Sequence, residues 1–251
     1  MSFLTLSLTL IFVLIPLILS RTLKLGLEKD TLIATIRSII QLLAVGYVLQ
    51  YVFDAEHILF ILLMILLMIG AATQNARKKG TSIQGITWKL FLTFVFIEVL
   101  TQSILLGLHI VPPTPQYIIP ISGMVIGNSM VLGILFLNRF TAEVENTQDE
   151  TELILSLGGT PKQAIHTQLI TAIKASTIPT IESQKTIGLV QLPGMMSGQI
   201  IAGADPVQAV QFQLLILFLL LTTAVVTSIM LGYLSYPALF NKQMQFLKFH
   251  Q

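Results

Sequence analysis

Glu98 is a carboxylate set inside an apolar run, 88–110, with Gln102 one helical turn beyond it. A charged side chain at the centre of a bilayer costs roughly 2.5–3.5 kcal/mol on insertion scales, so it must face protein, be protonated or hold a partner. Arg37 and Gln41 form a second i,i+4 pair in the run 31–53, which makes Arg37 a candidate ion partner for Glu98. Asn128 lies inside the run 117–137. At about 1.5 Å per residue, Gln41, Glu98 and Asn128 each sit roughly 15 Å in, near the middle of a core about 30 Å thick. Such groups could bind or relay a cation or proton along a transport path. They serve equally as interhelical glue, with Arg37 reaching back to the membrane boundary. Met195 and Met196 add polarizable thioethers, which suit a soft metal, a flexible apolar path or plain packing.

Other chemistries are excluded by what the sequence lacks. There is no cysteine, and the four histidines (57, 109, 166 and 250) are scattered, so no dedicated metal site is expected. The chain contains no G-x-x-x-x-G-K-[ST] phosphate loop, no G-x-S-x-G elbow and no H-E-x-x-H pair. The expectation is a protein without catalytic residues or a cofactor of its own, and without a nucleic-acid partner.

The elements that must position these residues are membrane helices. Hydrophobic residues make up 54% of the chain and charged residues only 10%, far below the roughly 25% of soluble domains. The lipid bilayer is therefore the partner of most of its surface. Apolar runs near 3–20, 31–53, 57–73, 88–110, 117–137 and 207–234 each approach the length of about 20 residues that a bilayer requires. The run 3–20 has no basic segment before it and no A-x-A-like cleavage site, so it is read as a span of the mature chain. A seventh, broken span is predicted over 186–203, which carries Gly188, Pro193, Gly194, Gly198 and Gly203. The pairs Gly123/Gly127 and Gly194/Gly198, four residues apart, predict close helix packing.

Charge gives the orientation. With seven spans and the N-terminus outside, Arg21, Lys24, Lys29, Arg77, Lys78, Lys79, Arg139, Lys162, Lys174, Lys185, Lys242 and Lys248 share one face. The opposite loops, near 54–57, 110–116 and 203–206, hold neither Lys nor Arg. This one-sidedness predicts that face, the C-terminus and the segment 138–185 to be cytoplasmic. Within that segment an acidic first turn (Asp149, Glu150, Glu152) suits a helix start, and Gly158 or Gly159 supplies a left-handed cap after Leu157. Thr160, Pro161 and Gln163 have the spacing of a capping box that opens a second helix. A polar helical pair on one side of a membrane bundle suits either a surface hairpin or a lever pushed by a partner.

The chain resembles, over nearly its whole length, the Fet-type iron-export permeases of bacterial ABC transporters, whose plant relatives are the STAR-type aluminium-tolerance permeases. The likeness is carried by Ile187-Gly-Leu-Val-Gln-Leu-Pro-Gly-Met-Met-Ser-Gly-Gln-Ile-Ile-Ala-Gly203 with Asp205-Pro206, by Tyr117-Ile-Ile-Pro-Ile-Ser-Gly-Met-Val-Ile-Gly-Asn-Ser-Met130 and by Arg37-Ser-Ile-Ile-Gln-Leu-Leu. Leu157-Gly-Gly-Thr-Pro-Lys-Gln-Ala-Ile165 is similar to the loop by which ABC importer permeases dock their ATPase. Glu152 stands at that loop's acidic position, although Leu153 and Ile154 replace its two alanines. The resemblance implies an all-α permease of about seven spans, 1–251 forming one transmembrane domain in a bacterial inner membrane. It further implies a homodimer that exports iron or another metal, driven by a cytoplasmic ATPase subunit that binds ATP and Mg. An ion-coupled carrier or channel using Glu98, a permease for a nucleotide-sugar or other small solute, and a membrane scaffold are the other readings.

Overall fold

The computed structural model describes residues 9–55, 57–79, 83–241, 243 and 245–247. Residues 3–8 of the first expected span, together with Lys242 and Lys248, lie outside them. Regular structure among the described residues is helical, apart from two isolated bridges, Ile187–Gln191 and Phe240–Phe246. The chain divides into two compact units, 1–57 and 58–251.

The first unit holds α1 (Ile11–Thr22) and α2 (Glu28–Ala55). Lys24 and Gly26 adopt positive φ angles of 54° and 72°, which turn the chain back between the helices. Buried Ser20 holds that turn: its Oγ accepts from the Leu27 N–H at 3.1 Å and donates to Glu28 Oε1 at 2.7 Å. The free end of α2 is thereby capped from the preceding helix.

The second unit runs α3 (Ile58–Ala76), a 3-10 turn Arg77–Lys79, α4 (Ile86–Gly107), α5 (Pro115–Asn146), α6 (Gln148–Ser156), α7 (Pro161–Ala164), α8 (His166–Thr186), α9 (Gly194–Ile201), α10 (Pro206–Ser235) and a closing 3-10 turn, Tyr236–Leu239. The start of α10 is explicit in the sequence: Pro206 takes the first helical position and Asp205 Oδ1 accepts from the N–H groups of Val207 and Gln208. Five helices, α2 to α5 and α10, are long and apolar enough to cross a membrane, and α1 is a shorter apolar helix. Two apolar clusters fill the second unit. One joins Leu90, Phe94, Phe136, Phe140, Ile165, Leu169 and Leu231; the other joins Ile97, Leu105, Ile121, Val125, Ile216 and Leu219.

Helix α8 falls in the segment 138–185, expected on the cytoplasmic side, and runs antiparallel to α10 opposite residues 217–232. Leu169 faces Gly232, Ser176 Oγ lies 2.8 Å from Ser228 Oγ, and Gln184 Nε2 donates to the Leu217 carbonyl at 2.8 Å. Those sixteen residues cover about 24 Å. Lys185 stands at the end of α8 away from Ile165. α8 is less apolar because it carries Gln168, Ser176 and Gln184, each of which makes a hydrogen bond outside the helix.

The segment 186–203 is likewise not a span by itself. After α8 the chain turns through Gly188 (φ 85°), whose N–H donates to the Gln191 carbonyl at 3.0 Å, and then forms α9. Eight residues reach only about 12 Å, well short of a bilayer core. The break predicted in this segment is present, but α8, the turn and α9 together run opposite α10.

Among the glycines inside the long helices, closest approach within this chain falls at Gly232. A Cβ there would lie 2.6 Å from Leu169 Cδ1 and 3.1 Å from Phe136 Cζ. At Gly123 the nearest atoms are those of Met68 at 3.9 Å, and at Gly127, Gly194 and Gly198 nothing lies within 4 Å. Gly232→Val should destabilise the bundle by about 1–3 kcal/mol through overpacking, whereas Gly127→Ala should leave it unchanged. Thermal unfolding of the purified proteins in detergent checks both; equal melting temperatures for the Val variant and the native chain would contradict the packing.

Candidate functional site

Glu98 is 4% exposed and lies on the face of α4 that meets α5. Ser122 Oγ, one helix away, donates to Glu98 Oε1 at 2.5 Å, and Gln102 Nε2 donates to the same oxygen at 3.0 Å and to Ser122 Oγ at 2.8 Å. Three polar side chains thus close a ring inside the bundle. Glu98 Oε2 and Gln102 Oε1 are buried without a hydrogen-bond partner. Both residues line a cavity of about 350 Å³, whose other walls are apolar side chains of α3, α4 and α5 such as Ile61, Ile65 and Val95. A carboxylate so placed can hold a proton or cation, or tie α4 to α5. Arg37 and Gln41, its expected companions, stand in the first unit, where they line a shallow groove on α2 with Ile33, Ile36 and Ile40.

Asn128 serves a different contact. Its Nδ2 donates to Thr223 Oγ1 at 2.9 Å and approaches the Leu220 carbonyl at 3.4 Å, which binds α5 to α10. Met195 packs with the second apolar cluster and Met196 is half-buried beside it on α9. No group of three or more His, Asp or Glu among the described residues could hold a metal ion. Sequence reasoning passed over Ser122, the main donor to Glu98, because a lone serine in an apolar run carries no signal without its neighbour. Gln184 and Gln213 were missed for the same reason.

At the end of the unit that carries Arg139, the α6–α7 turn has the predicted chemistry. Gly158 adopts φ 86°, its N–H donates to Leu155 O at 3.0 Å, and the Gly159 N–H donates to Ile154 O at 2.9 Å. Both glycines are required: Gly158 by its angle, and Gly159 because a Cβ would fall 2.5 Å from Ile154 Cγ2 and 2.7 Å from the Ile154 carbonyl oxygen. Thr160 and Gln163 form the full capping box, with Pro161 at the first helical position. The turn is anchored from behind. Gln168 Nε2 donates to Thr147 Oγ1 at 2.8 Å, and Lys162 Nζ lies 5.6 Å from the ring centre of Tyr233. Outward, Leu153 on α6 and Leu157 just beyond its end are 59% and 79% exposed, in a segment that also carries Asp149, Glu150 and Glu152.

Residues 3–240 match the family described as Uncharacterised protein family (UPF0014). The chain is 58% identical to the "UPF0014 membrane protein YjkA" of Bacillus subtilis (strain 168), covering 98% of each protein. It is 40% identical to the "Probable iron export permease protein FetB" of Escherichia coli (strain K12), covering 96% of this chain and 93% of the relative. To the "Protein ALUMINUM SENSITIVE 3" of Arabidopsis thaliana it is 34% identical over 94% of this chain and 86% of the relative. No solved structure matches the chain.

The Glu98 ring has a measurable energetic signature. Ser122→Ala should cost about 1–3 kcal/mol by leaving the carboxylate short of a donor. In a Glu98→Leu background the same change should cost clearly less, giving a coupling of about 1 kcal/mol or more in a double-mutant cycle. Denaturant unfolding in detergent measures this, and simple additivity would show that the two side chains do not act together.

Proposed function

The chain belongs to the UPF0014 family, and on that premise we propose that it is the permease subunit of an ABC transporter. In this reading two copies form the pathway in a bacterial inner membrane, and a separate cytoplasmic ATPase subunit docks on the α6–α7 turn. The chain carries no phosphate loop, so ATP and Mg belong to that partner. Cargo is iron or another metal and direction is export, supported by the 40% identity to the iron export permease.

The observation that carries the proposal is the turn itself, doubly glycine-locked, capped on both sides and presenting Leu157 outward. Its position next to α8 supplies a mechanism. Only Ile165 separates α7 from α8, so displacement of the turn moves α8 as a lever. Closure of two ATPase subunits would then tilt α8 against α5 and α10, switching the pathway between two rigid arrangements. A second reading, an ion-coupled carrier, draws on Glu98 and its unpartnered Oε2 beside an apolar cavity. It requires flux without any ATPase, and wild-type flux in Glu98→Gln would remove it.

Gly158→Val tests the docking. A β-branched residue at φ 86° is strained by about 1–2 kcal/mol, enough to weaken an interface built on that turn about tenfold. Insertion and yield should be unchanged, while co-purification of the ATPase and stimulation of its activity should fall together. Full stimulation by a normally expressed variant would contradict the reading.

A further inference from the structure

The stretch from Ile58 to Ile97 holds Arg77, Lys78, Lys79 and Lys89 and no acidic residue. Arg77, Lys78 and Lys79 sit together, exposed, in the 3-10 turn that follows α3, and none of them has an ion pair among the described residues. Beside them lies a cavity of about 460 Å³, lined by Gly70, Gln74 and Arg77 on one side and by Thr87, Trp88 and Phe91 of α4 on the other. Trp88 is 63% exposed and stacks on Phe91 with ring centres 5.5 Å apart. An exposed tryptophan beside a cluster of cations at the end of an apolar helix is the composition of a membrane–water boundary, with the ring at headgroup level. The apolar cavity beside Glu98 belongs to the same α3–α4 seam. On α3 its residues Ile58, Leu62 and Ile69 extend the stripe that Gly70, Gln74 and Arg77 occupy, and on α4 Val95, Val99 and Leu106 extend that of Trp88 and Phe91. From Arg77 to Ile58 the helix runs about 28 Å, close to the depth of a bilayer core. The seam is thus basic and aromatic at one end and apolar along its length.

We propose that this seam binds an anionic glycerophospholipid, its phosphate held at Arg77, Lys78 and Lys79 and one acyl chain laid along the apolar stripe between α3 and α4. A bare apolar helix surface accepts any lipid, whereas cations without acid partners select a negative headgroup, each by about fivefold. Gly70 leaves room for the chain just below the headgroup: a Cβ there would meet nothing within 4 Å, so the space over it is open. The charge distribution predicts this end to be cytoplasmic, and anionic headgroups give the cytoplasmic leaflet its negative surface potential. The inference stands apart from the permease reading, since it concerns a lipid that stays in the membrane and not the cargo.

The test is native mass spectrometry of the full chain from micelles holding equal amounts of phosphatidylglycerol and phosphatidylcholine, which reads bound lipid and oligomeric state together. The native chain should retain phosphatidylglycerol in clear excess. Arg77→Gln should lower that preference about fivefold, and replacing Arg77, Lys78 and Lys79 together by Gln should abolish it while weak binding of both lipids persists. Gly70→Leu fills the seam without meeting a neighbour and should reduce retention of both lipids, with the melting temperature unchanged. Equal retention of the two lipids by the native chain, or full retention in Gly70→Leu, overturns the site. A change of oligomeric state in Gly70→Leu in place of lipid loss makes a second copy the occupant, and displacement by glycerol phosphate as readily as by phosphatidylglycerol makes it a soluble phosphate; either overturns the lipid assignment. Gly158→Val should keep its lipid, so failure of the docking reading and failure of this one are told apart.

Discussion

Side-chain hydrogen bonds between helices fix where α8 lies, and the rest of the second unit follows from that placement. The Ser176–Ser228 pair and the Gln184 amide on the Leu217 carbonyl bind α8 to α10 along an apolar stretch. Ser176 and Ser228 also bond carbonyls of their own helices, so the cross-helix contacts add register to groups already partnered. Gly232 allows the helices to approach at one end, and Asn128 ties α5 to the same helix near the other. Three helices are thereby held with their polar faces inward. A groove at the end of α8 lies beside this arrangement, with Asn128 and Gln184 in its lining.

The same placement links two regions that are distant along the bundle. The α6–α7 turn and the groove residues Thr180, Ser183 and Gln184 lie at opposite ends of one nearly continuous helical segment, about 30 Å apart. In the proposed reading this segment, with Pro179 inside it, would act as the lever between the turn and the groove. The apolar cluster of Phe136, Phe140, Ile165 and Leu169 supports the near end, where force would enter. Glu98 stands apart from this line, on the α4–α5 contact with Ser122 and Gln102. Its geometry fits a structural tie at least as well as a pathway group, because its closest contacts are the two helices it joins.

Local chemistry was legible in the sequence wherever one residue type had one physical use. Thr160-Pro161 with Gln163 and the glycines 158 and 159 appear in the structure as the caps and turns that their types dictate. Placement of α8 was not legible, since Gln168, Ser176 and Gln184 lower its hydropathy and have partners outside the helix, at Thr147, Ser228 and the Leu217 carbonyl. The broken character of 186–203 was readable from its glycines and Pro193, but not that α8 leads into it. Glycine spacing did not mark the close approach within the chain: Gly127, Gly194 and Gly198 have open space at Cβ, whereas Gly232, which has no partner glycine four residues away, makes the tightest contact between helices. Spacing reports which face a residue occupies; contact depends on what the fold brings to that face.

The central claim is that an ATPase acting at the α6–α7 turn changes the groove at the far end of α8. A single cysteine placed at Ser183 in this cysteine-free chain measures it through the rate of labelling by a water-soluble thiol reagent in nanodiscs with the ATPase bound. Addition of ATP with Mg should change that rate several-fold, and the change should vanish when Gly158→Val is introduced on the same chain. An unchanged rate with and without ATP, in a complex that hydrolyses it, would contradict the account.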